Sequence, residues 1–215
     1  MTDSDSHSHH APHGHQADLQ DGLDFVNTLG TRRGEPIDRI PTPDVALRWL
    51  EEHGLLHDET LDRLLAGFGS DPEAGARTLG RIGRVRAAMR ELIDATVERR
   101  PPDGNALDCV NRALRTPYTY ELVPARDGVS LDHRHDGDPI DGALARLAES
   151  VAREVSQGQP DRLRICADEE CRWVFNDTSP TGRRKWCDMA TCGNRAKAAR
   201  HRERQRTGEQ HGEVA

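Results

Sequence analysis

Four residues separate Cys166 from Cys171, fifteen lie between Cys171 and Cys187, and four again separate Cys187 from Cys192. Two matched pairs of this kind are the pattern of a tetrahedral thiolate site: each short loop turns back so that both of its sulfurs face one ion, and the longer insert crosses between them. Zn2+ suits four soft donors without redox chemistry. Iron is chemically compatible with the same set, and unlinked thiols or a redox pair are the readings without a metal. The segment around the cysteines has few apolar anchors, chiefly Ile165, Trp173, Val174, Phe175 and Trp186. A module of this size does not hold together unaided. A structural zinc site contributes on the order of 10 kcal/mol of apparent binding energy that becomes folding energy. Four thiolates leave no position for water, so the expected ion is one structural Zn2+ and not a catalyst.

Charge is unevenly placed along the 215 residues. Residues 1–182 carry 21 Lys and Arg against 33 Asp and Glu, a net of −12, whereas residues 183–206 carry 9 against 2, a net of +7. Both lysines of the chain, Lys185 and Lys197, lie in that basic stretch. An acidic body with a basic tail points to a polyanionic partner for the tail, the plainer reading being a solvated charge run. No stretch approaches eighteen apolar residues, which argues against a membrane span. The start, "MTDSDSHSHHAPHGHQ", is acidic and polar where a secretory signal is basic and then apolar. The expected location is therefore cytoplasmic, where cysteines serve metals or catalysis more often than disulfides. Residues 1–17 read as a disordered, His-rich N-terminus able at most to bind metal weakly.

From "LDFVNTLG" onward the body reads as mostly helical. "TPDVALRWLEEHGLL" opens with Thr42, Pro43 and Asp44, residue types that start helices, and stops at Gly54. A second helix is expected from Asp58. A longer one follows Asp71 and Pro72, with Leu79, Ile82, Val85, Met89, Leu92, Ile93 and Val97 spaced by threes and fours up to Pro101 and Pro102. "GNALDCVNRALR" supplies a shorter helix, "YTYELVPARDGVSLDHR" a hairpin turning at "RDG", and "DPIDGALARLAESVAREVSQG" a helix ending at Gly158. The expected fold is α+β: a predominantly helical body with a β-hairpin, plus a small four-cysteine finger ending in a basic helix.

Within the body the chemistry is thin. Cys109 falls on the apolar side of its helix and reads as packing. Asn27 and Thr28 interrupt an apolar run and read as a helix cap or a satisfied core amide, ligand recognition being the other reading. His53 and His57 stand four apart, but Gly54 between them breaks the helical geometry of a metal pair. No phosphate loop, GxSxG or HExxH motif is present, and the chain is not expected to be an enzyme.

After Cys192, "GNRAKAARHRERQR" favours a helix whose only apolar residue is alanine, so no face is built to enter a core. At 100° per residue Arg195, Arg202 and Arg206 fall on one side, with Lys197, Arg200 and Arg204 roughly opposite. Arginines on more than one face suit a helix lying between phosphate walls. Arg183, Arg184 and Lys185 add backbone clamps. Trp173 and Trp186 read as packing for the finger, stacking on bases being the other use. Asn194 ties the turn or reads a base.

"CxxxxC" followed by "WCDMATCGNRAKAARHR" resembles the CGNR zinc finger family, named for the tetrapeptide Cys192, Gly193, Asn194 and Arg195, over about Leu163 to Arg204. In that family the finger follows an ABATE domain, described as a stress-induced transcription regulator. "GLDFVNTLG" and "TPDVALRWLEEHGLL" resemble its opening. The resemblance implies an ABATE-like domain over 18–158, a CGNR finger over 162–206 and a disordered tail over 207–215. It implies a DNA-binding regulator with Cys166, Cys171, Cys187 and Cys192 as metal ligands. Arg183, Arg184, Lys185, Asn194, Arg195, Lys197, Arg200, Arg202 and Arg204 are the candidate nucleic-acid contacts. The body would sense a small molecule or stress signal, or form a homodimer. A zinc-stapled module for protein or RNA, and an enzyme with its site in the body, are the other readings.

Overall fold

The computed structural model describes residues 17–32, 35–117, 119–125, 128–135 and 137–210; of the ends expected to be disordered, 1–16 and 211–215 lie outside them, whereas Ala17 is buried against the core and 207–210 are helical. The body comprises α1 (Leu19–Asn27), β1 (Leu29–Arg32), β2 (Glu35–Asp38), α2 (Pro43–Glu52), α3 (Asp58–Ser70), α4 (Pro72–Glu98), α5 (Gly104–Leu114), β3 (Thr119–Ala125), β4 (Gly128–Arg134) and α6 (Pro139–Gln157). A short 3-10 turn leads into the finger, made of β5 (Leu163–Ile165), β6 (Val174–Asn176), a π-helical turn at Met189–Gly193 and α7 (Asn194–Gln210).

Local chemistry sets most helix starts. Asp18, Asp71, Asp103 and Asp138 each cap a helix by accepting a backbone N–H, and Pro72 and Pro139 occupy the first helical turn, where the missing N–H costs nothing. Arg99, at φ 55°, turns the chain out of α4 just ahead of Pro101 and Pro102. α4 and α6 are the central pair. α1 packs on both, α5 covers their other side, and α2 and α3 close one flank. Phe25, Leu47, Leu50, Ile82, Met89, Ile93, Leu144 and Leu147 are fully buried between them.

The β structure is three separate antiparallel hairpins and not one. β3–β4 is the hairpin expected at "RDG", with Leu122 opposite Leu131; its Leu122, Val129 and Leu131 stand exposed. β1–β2 was not anticipated: Leu29 pairs with Asp38 and Arg32 with Glu35. The third, β5–β6, belongs to the finger, yet its Leu163 and Val174 are buried in the same core as the body helices. Among the described residues, no helix is long and apolar enough to cross a membrane.

Candidate metal centre and basic helix

The finger is folded by backbone turns that bring four thiols to one place. Ile165 pairs with Val174, and the Cys166 N–H donates to the Trp173 carbonyl at 2.7 Å, closing the β5–β6 hairpin at the first cysteine. Cys171 and Arg172 then donate to the carbonyl of Asp168 at 2.9 and 3.0 Å, and Arg172 adopts φ 56°, which bends the loop back so that Cys171 returns toward Cys166. The second half is laid against the first by Ala167 N–H donating to the Lys185 carbonyl at 2.8 Å.

Asp177 organises the insert between the pairs. Fully buried, it accepts from the backbone N–H of Ser179 at 3.0 Å and of Arg184 at 2.8 Å. Burial pushes its carboxyl up, but these hydrogen bonds and the Arg184 charge prevail and hold it down at about 2. Gly182 occupies the same loop at φ 60°, with Arg162 packed where a Cβ would project, so the position admits no side chain without strain. Asp188 then caps the π-helical turn through the Thr191 N–H at 2.7 Å, and this turn carries Cys192 directly into α7.

The four Sγ atoms all lie within 4.8 Å of one another, with Cys171–Cys187 at 3.7 Å and Cys187–Cys192 at 3.8 Å. All four cysteines are free of disulfides. A zinc ion about 2.3 Å from each of four sulfurs at tetrahedral corners sets them about 3.8 Å apart, which these contacts match. The four-cysteine cluster is thus consistent with one Zn2+, and no other group of three or more potential ligands gathers among the described residues. Without an ion the thiols oppose one another's ionisation. Burial, followed by the neighbouring Cys166, pushes Cys171 up to about 11, and Cys187 is pushed higher for the same reasons. Burial also works against Cys192, but hydrogen bonds led by the one from Arg195 bring it below the usual thiol value.

Arg195 connects the cluster to its surroundings. Its guanidinium lies 3.3 Å from Cys192 Sγ, 2.7 Å from Asp168 and 3.7 Å from Glu170. Two other motif positions, and Arg184 from the loop before them, act within the finger as well. The Asn194 amide donates to the Ala190 carbonyl at 2.9 Å, and a Cβ at the buried Gly193 would come 2.6 Å from Met189 Sδ. Arg184 donates to the Cys187 carbonyl and lies over the Phe175 ring at 5.2 Å. The remaining candidates face solvent: Arg183 and Lys185 on the loop, and Lys197, Arg200, Arg202 and Arg204 on α7. Arg200 reaches toward the Trp186 ring at 6.0 Å. From Asn194 to Arg206 only Ala196 is even half-buried, and α7 runs on to Gln210.

A seam to the body adds residues whose role sequence reasoning left unassigned. The Asn27 amide donates to the Val174 carbonyl at 2.8 Å and its oxygen accepts the Val174 N–H at 3.0 Å, so a body side chain extends the β6 strand. The amide is satisfied, as the core reading had it, but by the finger. Arg39 lies over the Trp173 ring at 4.5 Å, and Gly30 leaves room for the same indole, whose Nε1 would lie 3.0 Å from an added Cβ. The signal in the sequence was the polar interruption of "FVNTL". Cys109, by contrast, packs half-buried against the core of the body, and His53 stacks on Trp49 at 3.8 Å.

No curated protein matches the chain. Two family models do. ABATE, described as "Putative stress-induced transcription regulator", matches residues 22–158, and the CGNR zinc finger matches 162–205. The first spans well over half of the sequence, and the second contains all four clustered cysteines and the start of α7. The chain belongs to the ABATE family and carries a CGNR zinc finger behind that domain.

Proposed function

We propose that this protein is a DNA-binding transcription regulator in which Cys166, Cys171, Cys187 and Cys192 hold one Zn2+ that fixes the start of α7, and α7 lies along duplex DNA. The observation that carries this reading is the exposure of α7: a basic helix leaving the cluster with almost no side chain buried. A helix of this kind gains nothing from a core and gains phosphate contacts from a duplex. Lys197, Arg200, Arg202 and Arg204 are its phosphate or base contacts, with Arg183 and Lys185 as clamps from the loop. Arg184, Asn194 and Arg195 support the reading head through their contacts within the finger. The unit 18–158 is the sensing or dimerising part, and 162–206 the reading head. The family description favours regulation over catalysis.

Fluorescence anisotropy of the zinc-loaded protein on duplex DNA tests the reading. Six engaged cations give a slope of log K on log salt of about −5, and Lys197→Gln with Arg200→Gln makes it shallower by about 2. Absence of duplex binding at low salt defeats the reading, and so does preferential binding of single-stranded RNA or an acidic peptide.

A further inference from the structure

α4, α5 and α6 meet around a cavity of about 270 Å3 that shares no lining residue with the four-cysteine centre. Its charges are unusual for so acidic a body. Arg81, Arg84 and Arg112 line it, with Asp141 as the one carboxylate. Arg81 is already neutralised, at 2.6 Å from Asp138 and 3.0 Å from Asp141. The other arginines of α4 are spoken for too: Arg77 by Asp71 and Glu73, Arg86 by Asp38, Arg90 by Asp94. Arg84 is the exception on that helix, and Arg112, in the last turn of α5, matches it. Among the described residues, neither makes an ion pair or a side-chain hydrogen bond. Both exposed guanidinium groups border one concavity, where an anion would offset their like charge.

Apart from Thr116, the rest of the wall is apolar. Val85 and Leu144 are buried and Ala113 half-buried, and all three line the same cavity. A guanidinium presents parallel N–H donors that match a carboxylate or phosphate edge, whereas a short hydrocarbon body suits the three aliphatic side chains. The volume lies just under the usual range for drug-sized pockets, which limits a ligand to roughly ten non-hydrogen atoms.

We propose that this cavity binds a small organic anion, its carboxylate or phosphate held between Arg84 and Arg112 and its apolar part resting on Val85, Ala113 and Leu144. The site stands on the body alone, and its occupancy is read without DNA, so its failure and that of the DNA reading are separate results. Cys109 lines the same cavity and serves as a local reporter.

Calorimetric titration of the zinc-loaded full chain with benzoate and with phenyl phosphate tests the site. Saturable one-to-one binding of at least one is expected, and the tighter names the head group. In the Arg84→Gln/Arg112→Gln variant, whose exposed substitutions leave the circular dichroism spectrum intact, affinity falls at least about tenfold. The bound anion also slows iodoacetamide alkylation of Cys109, read by peptide mass mapping, in the parent chain and not in the variant. Absence of saturable binding by both probes overturns the proposal, as does equal affinity in the double variant or alkylation of Cys109 unaffected by a bound anion.

Discussion

Asn27 lies in the last turn of α1 and is 5 % exposed, with both polar ends of its amide committed to the peptide of Val174. Removing it strands a buried N–H and a buried C=O at once. Asn27→Ala is expected to cost about 2 kcal/mol, seen as an earlier urea midpoint of the zinc-loaded protein. Arg86 is the other buried polar anchor near that seam: it donates to Thr28 Oγ1 at 2.8 Å and in two-pronged fashion to Asp38 at 2.8 and 2.6 Å. The hydrogen bonds from Arg86 are the largest cause that holds the Asp38 carboxyl below its ordinary value. A depressed carboxylate contributes stability fully present above its unfolded pKa and lost as pH falls through the folded one. Asp38→Asn is therefore expected to cost about 2 kcal/mol near neutrality, less than a fully buried pair because Asp38 is partly exposed. The gap between parent and variant in urea unfolding should narrow below about pH 4.

Elements differ in how plainly the residues announce them. α2, α4 and α6 could be placed because each couples Pro in the first turn to apolar residues at helical spacing, and α4 and α6 also carry an Asp cap. β3–β4 was visible through its turn. β1–β2 was not, since strands of four residues with Leu29 and Ile37 as their main apolar members give no alternation to detect. The cysteine spacing made the metal centre legible, because ligand geometry demands paired loops whatever the fold around them. The work of each basic residue was not legible. Arg195 and Arg202 share a helical face, yet Arg195 is drawn to Cys192 and Asp168 by a loop folded beneath it, which spacing on one helix does not reveal. The bond between Asn27 and Val174, 147 residues apart, is a long-range contact of the same sort.

At the scale of the whole molecule, finger and body share one core. Leu163 and Val174 are each 1 % exposed and pack in the cluster that holds Phe25, Met89 and Ile93. If the ion is what keeps the finger folded, its loss should reach the body. Chelation is expected to lower the melting temperature of the entire chain by at least about 5 °C in a single calorimetric transition. A first transition confined to the finger, with the body melting unchanged, would contradict that coupling.

Because Asn27 grips a peptide unit and no side chain, that bond is blind to which residue stands at position 174, and only the core, where the Val174 side chain packs, selects it. A finger of different outer surface, threaded along the same backbone path and keeping Leu163, Trp173 and Val174, would seat there without any compensating change in the helices. The recognition half of such a chain can therefore diversify while the half that receives it stays fixed.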